Sequence, residues 1–264
     1  MKSIRNLIDK LRIRRAFRLL SKDSGHSSND VHISSSELII PGRRHFFFHN
    51  PTFPKSPVLM CLHGGTQSME DWLTNKNMFD FVYKAFMAGF SIMLVDSVYP
   101  KNSRIKSWDA ENTDPNTSVD LPYFRAIFSW INQQSYLNPS VNIAGVSSGA
   151  FMGSLLSCLN GTNEIRINKF ICHSGGWFGR HVQSVSESNL KPSFKNIPVT
   201  VGSNHPTTIF VHGVKDNVVP FQEAITYYYG LTNNGMAAIF LTDKKIGHTW
   251  SVSNNKNLVK YLQL

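Results

Sequence analysis

From Val58 to the end of the chain, short unbroken apolar runs alternate with segments of helical spacing. "PVLMCLHGG", "SIMLVDS", "VNIAGVSSG", "KFICHSGGW", "TTIFVHG" and "AAIFLTD" each read as a strand with apolar residues on both faces. "MFDFVYKAFMAGF", "LPYFRAIFSWINQQSYLNP", "AFMGSLLSCLN", "FQEAITYYYGLTNNG" and "NNKNLVKYLQL" read as the helices between and after them. A strand that is apolar throughout must be covered on both sides, and helical crossovers provide that cover in a mostly parallel sheet. The expected class is therefore α/β, with ligands gathered at the carboxyl ends of the strands. The stretch 178–206 has no strong periodicity and sits where a cap or substrate-facing insertion would be placed.

Ahead of this region, "SELIIPGRRHFFFHNP" holds two apolar runs around Pro41-Gly42, the pattern of a hairpin. The chain thus divides into a basic amphipathic segment (1–22), a Ser-, Asn- and Asp-rich linker (23–35) and one catalytic-sized domain (36–264). The net charge of +10 resembles a nucleic-acid footprint until it is located. Residues 1–22 carry +7 of it, and the remaining 242 residues are nearly balanced. No nucleic-acid partner is expected of the domain. Segment 1–22 suits peripheral contact with an anionic membrane or an acidic partner, or packing as a solvated helix on the domain. Charges interrupt every stretch that could serve as a secretory signal, which points to a cytoplasmic protein. Cys61, Cys158 and Cys172 lack metal-ligand spacing and suit buried thiols, with a Cys158–Cys172 bridge left open.

Within "VNIAGVSSGAFMG", the run Gly145-Val-Ser147-Ser-Gly149 falls where a strand passes into a helix. A G-x-S-x-G turn there can present serine as a nucleophile, although glycines also serve any tight turn and the bare match is a weak signal. Serine needs a base, and the base needs an orienting acid, in the chain order Ser, acid, His. "IFVHGVKDNVVP" offers Asp216 after one strand, and "FLTDKKIGHTW" offers His248 beyond the last. Asp243 is the rival acid. Asp96 stands in the wrong order, and His63, His173 and His212 sit where strand packing explains them. The backbone N–H of Ser148 and one from the "HGGTQ" turn, Gly65 or else Gly64, would form an oxyanion hole. Loss of one such donor costs about 3–4 kcal/mol of transition-state stabilisation.

The set "VLMCLHGGTQ", "DLPYFRAIFSWINQQSYLNPSVNIAGVSSGAFMG", "IFVHGVKDNVVPF" and "GHTW" resembles the α/β-hydrolase superfamily over about residues 36–264. More narrowly it is similar to the esterases that include polyhydroxybutyrate depolymerases and feruloyl or acetyl-xylan esterases. The resemblance implies an α/β-hydrolase fold and a serine carboxylic-ester hydrolase working through an acyl-enzyme, without cofactor or metal. Ser147 would be nucleophile, Asp216 the acid and His248 the base, with Asp120 structural at its helix start. Trp177 and Trp250 would line the substrate site, a small or polymeric ester. A peptidase or acyltransferase on the same triad, and a non-catalytic binding protein of this fold, are the alternatives. Secreted members carry signal peptides and often disulfides, and this chain shows neither pattern.

Overall fold

The computed structural model describes residues 15–16, 18–20, 43–98, 106–162, 164–178 and 204–264. Seven strands form one sheet: β1 (His45–Phe48), β2 (Ser56–Leu62), β3 (Ser91–Val95), β4 (Leu137–Val146), β5 (Ile167–His173), β6 (Thr207–Gly213) and β7 (Ala238–Asp243), in the order β1-β3-β2-β4-β5-β6-β7. β1 runs antiparallel to β3, and every other neighbouring pair is parallel. The apolar run of residues 45–48 therefore finds its partner in β3, His45 opposite Val95. The other half of the expected hairpin, residues 36–40, lies outside the described residues.

The helices are α1 (Asp71–Thr74), α2 (Lys76–Met87), α3 (Leu121–Gln133), α4 (Ser148–Cys158), α5 (Phe221–Asn233) and α6 (Asn255–Gln263). Asn75 caps α2, its side-chain oxygen accepting from the N–H groups of Asn77 (3.0 Å) and Met78 (3.4 Å). Pro122 stands in the first turn of α3, where its missing N–H costs nothing. β2 and β3 alternate their side chains between two cores. Val58, Met60, Leu62, Met93 and Val95 face a cluster with Phe124, Ile127, Leu155 and Tyr227, from α3, α4 and α5. Leu59, Cys61, Ile92 and Leu94 face a second cluster with Trp72, Phe81, Phe86 and Leu258, from α1, α2 and α6. This is the two-sided burial that continuous apolar strands require.

α4 is buried almost all round, as befits a helix lying under the sheet's centre. From segment 1–22, Ala16 and Leu20 are buried in the second cluster. Linker 23–35 and the stretch 179–203 are outside the described residues. All three cysteines are free thiols, and burial pushes the Cys158 thiol up to about 12. Among the described residues no helix is long and apolar enough to cross a membrane.

Candidate active site

β4 ends at Val146, and the chain reverses into α4 through Ser147, which has φ 52° and ψ −120°. A non-glycine residue rarely occupies this region, and here it swings the Ser147 side chain out of the path of the chain. The flanking glycines are required by contact rather than by composition. A Cβ on Gly145 would stand 2.3 Å from the Gly149 carbonyl oxygen. One on Gly149 would stand 2.4 Å from the Leu62 oxygen and 2.6 Å from that of His63. Only hydrogen fits, so the turn nests against the end of β2. The Ser147 N–H donates to the His173 oxygen (2.9 Å) at the end of β5.

Asp216 follows β6. Its Oδ1 accepts from the N–H groups of Val218 (3.0 Å) and Val219 (2.9 Å), and its Oδ2 lies 2.8 Å from His248 Nδ1. His248 Nε2 in turn lies 3.0 Å from Ser147 Oγ. Three residues from three strand ends are thus joined in one chain of hydrogen bonds. Burial alone would raise the Asp216 carboxyl, but His248 and the two amides hold it below the usual carboxylate range. An ionised Asp216 accepts a hydrogen bond from His248 Nδ1–H, and that tautomer leaves Nε2 as acceptor for the Ser147 hydroxyl. The Asp216 side chain is fully buried, whereas 22% of the His248 side chain remains exposed to solvent.

The other candidates have separate tasks. Asp243 accepts from the hydroxyls of Ser251 and Ser253 (2.8 Å each) and from the Lys245 N–H (3.0 Å), and so builds the loop carrying His248. Asp96 sits beside Arg44 (2.8 Å), Lys106 (2.5 Å) and the Met69 N–H (3.3 Å). Burial would raise its carboxyl, but Lys106 and Arg44 hold it far below the ordinary value. His173 accepts the Ser251 N–H at Nε2 (2.9 Å) while its ring stacks on Trp250, centroids 4.4 Å apart. Burial, with His212 and His248 nearby, depresses it to about 3, so it is a neutral acceptor. His212 lies nearer the chemistry than strand packing alone requires. Its Nε2 is 2.9 Å from the Val219 oxygen and 3.3 Å from Asp216 Oδ2.

The turn after β2 has most of its amides engaged. The Gly64 N–H donates to Gln67 Oε1 (2.8 Å), the Thr66 N–H to the Lys106 oxygen (2.7 Å) and the Gln67 N–H to the Gly64 oxygen (3.3 Å). His63 Nδ1 also donates to the Gly64 oxygen (2.8 Å), its Nε2 accepting from the Ser97 N–H (3.0 Å). The Gly64 carbonyl shares a peptide plane with the Gly65 N–H. Pinning the oxygen on one side aims that N–H to the other. Gly65 rather than Gly64 is therefore the available donor. The Ser148 N–H opens α4, where helix geometry gives it no partner within the helix. The two residues adjoin: a Cβ on Gly65 would meet that of Ser148 at 3.9 Å.

Trp177 and Trp250 are both buried. Trp177 packs on Phe178 and Tyr227, and Trp250 on His173, Trp72 and Phe81, its Nε1–H donating to Asn255 Oδ1 (2.7 Å). Asp120 lies buried at the start of α3 and pairs with Arg43 (2.5 Å). No motif or periodicity marks Trp108, which stands in the polar connection before α3. Its Nε1–H donates to the His63 oxygen (2.8 Å), and its backbone N–H to Ser148 Oγ (3.1 Å). Among the described residues no group of three or more His, Cys, Asp or Glu is placed to hold a metal ion.

No family model matches the chain. A poly(3-hydroxyoctanoate) depolymerase from Pseudomonas fluorescens is 27% identical over 106 residues, 40% of this chain. The match spans 34% of that protein, about a third of its length. Among solved structures, esterase PE8 superposes with a TM-score of 0.60 at 15% identity, covering 84% of this chain and 98% of that one. MGS-M1, an α/β hydrolase enzyme from a Medee basin deep-sea metagenome library, gives 0.58 at 16% identity, covering 88% and 93%. An acylaminoacyl peptidase from Pyrococcus horikoshii gives 0.58 at 15% identity, covering 84% of this chain and 39% of the peptidase. Identities this low compare architectures and not activities. The chain has the α/β-hydrolase fold.

Proposed function

We propose that the protein is a serine hydrolase that cleaves carboxylic esters through an acyl-enzyme. The observation that carries this is the unbroken path from Ser147 Oγ through His248 to Asp216, at 3.0 and 2.8 Å, on a serine held at positive φ. Ser147 attacks the ester carbonyl as His248 Nε2 takes its proton. Asp216 holds the imidazole tautomer and stabilises the imidazolium that forms. The Gly65 and Ser148 N–H groups receive the oxyanion. His248 returns the proton to the leaving alcohol, then takes one from the water that releases the acid. Side chains and water handle every proton and electron pair in this sequence.

Ester cleavage is favoured over amide cleavage by the names of the depolymerase and of esterase PE8, and a hydroxyalkanoate or short acyl ester is the substrate class they suggest. The test pairs wild type with Ser147→Ala. Wild type is expected to hydrolyse p-nitrophenyl acetate and butyrate and to take a fluorophosphonate label on the Ser147 peptide. The variant should lose the label and about 10⁶-fold in kcat. Labelling with turnover confined to acylated amino-acid p-nitroanilides would make it a peptidase instead. A folded wild type that neither labels nor turns over would show a binding protein of this fold.

A further inference from the structure

The two oxyanion donors belong to different loops, one after β2 and one after β4. Both must reach 2.7–3.1 Å from a single oxygen, so their separation has to be held. No covalent link sets it. Gly65 and Ser148 adjoin closely enough that a Cβ on Gly65 would meet that of Ser148 at 3.9 Å, but adjacency alone does not keep them together.

We infer that Trp108 is a positioning residue for the oxyanion hole, fastening the turn of Gly65 to the elbow of Ser148. Its indole N–H holds the His63 carbonyl (2.8 Å), which opens the Gly64–Gly65 turn. Its own backbone N–H holds Ser148 Oγ (3.1 Å) on the other wall. One residue thus grips both loops, and its ring is wedged against His63 and Phe124, centroids 5.1 and 5.4 Å away.

The segment bearing Trp108 is itself anchored. Upstream, the Lys106 oxygen accepts from the Thr66 N–H (2.7 Å), a further tie to the oxyanion turn. Downstream, the Asp109 N–H donates to Asp120 Oδ2 (2.6 Å), and the Val119 N–H returns a bond to Asp109 Oδ2 (3.1 Å). Asp120 is fully buried and paired with Arg43. The buried carboxylate at the foot of α3 therefore acts at a distance: it fixes the strap from which Trp108 reaches across the hole. A tryptophan serving as core filler would need its ring alone. Here both of its N–H groups are spent on the two loops that supply the donors.

This inference rests on the hydrolase reading, and its test separates the two. Trp108→Phe keeps an aromatic ring between His63 and Phe124 and keeps the backbone N–H, but deletes the indole donor. Ser148→Ala deletes the other tie and keeps the Ser148 backbone amide. The readouts are kcat and KM for p-nitrophenyl acetate, and the Ki of phenylboronic acid. Boron accepts the Ser147 oxygen, the serine proton passing to His248, and the tetrahedral adduct places an oxygen in the hole. Trp108→Phe is expected to lose about tenfold in kcat with KM changed less than about twofold. The Ki should rise by the same factor as kcat/KM falls. Ser148→Ala should show the same pattern with a smaller loss. A Trp108→Phe variant that melts earlier but keeps wild-type kcat and Ki would make the ring mere packing and overturn the inference. If that variant does not fold, Ser148→Ala at wild-type kcat and Ki overturns it. Either result with Ser147 still labelled by fluorophosphonate leaves the hydrolase standing. A wild type without labelling overturns both.

Discussion

Ser147 and His248 meet at 3.0 Å, yet the molecule holds them by opposite means. The elbow is fixed by exclusion: backbone oxygens stand where any Cβ on Gly145 or Gly149 would be, and the serine is left at φ 52°. The histidine loop is fixed by attraction. Asp243 gathers the hydroxyls of Ser251 and Ser253, His173 takes the Ser251 N–H, and the Asn254 side chain donates to Ser251 Oγ (2.9 Å). Exclusion is all or none, because a methyl group either fits or does not. Hydrogen bonds can be removed one at a time. The nucleophile's position should therefore fail abruptly under substitution and the base's gradually, with His173 serving both regions.

Changes to the chemistry itself should have the largest effect. Asp216→Asn keeps the shape of the histidine side but favours the wrong imidazole tautomer, and kcat is expected to fall about 10⁴-fold with the thermal midpoint little changed. Steady-state kinetics with a melting curve checks this. Next is Gly149→Ala, which drives a methyl into the Leu62 and His63 oxygens. It should cost about 3 kcal/mol of stability in urea unfolding, together with fluorophosphonate reactivity. Wild-type stability there would break the contrast between the two regions.

Acid should loosen the fold through its buried histidines: His173 and His212 near the triad, and His205 before β6, whose Nε2 lies 2.8 Å from the Tyr227 hydroxyl. Burial depresses His173 to about 3 and His205 to about 4, and lowers His212 as well, while an unfolded chain binds these protons near 6.5. Between those values the unfolded state holds more protons, so stability is complete above about pH 6.5 and falls as the pH drops. The lowered carboxyls of Asp216 and Asp243 add their loss only beneath about pH 4. Urea midpoints at pH 7.5 and 5.0 should differ, and a His205→Phe variant that folds should narrow the gap. The smallest effect is reserved for Ser253→Ala. It removes one of the two hydroxyls on Asp243 at an exposed position and should cost about 0.5 kcal/mol, with kcat within about twofold.

What could be read from the residues depended on how local the cause was. Buried parallel strands announce themselves as apolar runs, so β2, β3, β5 and β6 fall where such runs lie. The serine, acid and histidine stand at strand ends in a set order, and order survives in a linear chain. β4 was harder. It begins at Leu137, not Val141, because Ser56 pairs with Leu137 across a bulge, and Pro139 and exposed Asn138 look like a break. β1 depends on β3, more than forty residues on, as its partner. Trp108 was invisible for the same reason. Its two bonds reach 45 and 40 residues away, and no periodicity records them. The choice of Gly65 over Gly64 likewise rests on Gln67 and His63 occupying the neighbouring groups.

The backbone angle of Ser147 has a thermodynamic consequence as well as a geometric one. A side chain in that region costs about 1–3 kcal/mol, and glycine would relieve it at the expense of a little more unfolded-chain entropy. Ser147→Gly is therefore expected to be inert but more stable, by about 1 kcal/mol, or about 2–4 °C in calorimetry. Among the described residues Ser147 is one of four non-glycine residues at positive φ, and the strain falls on the residue that would do the work. A change toward greater stability at this position would be a change away from the proposed activity.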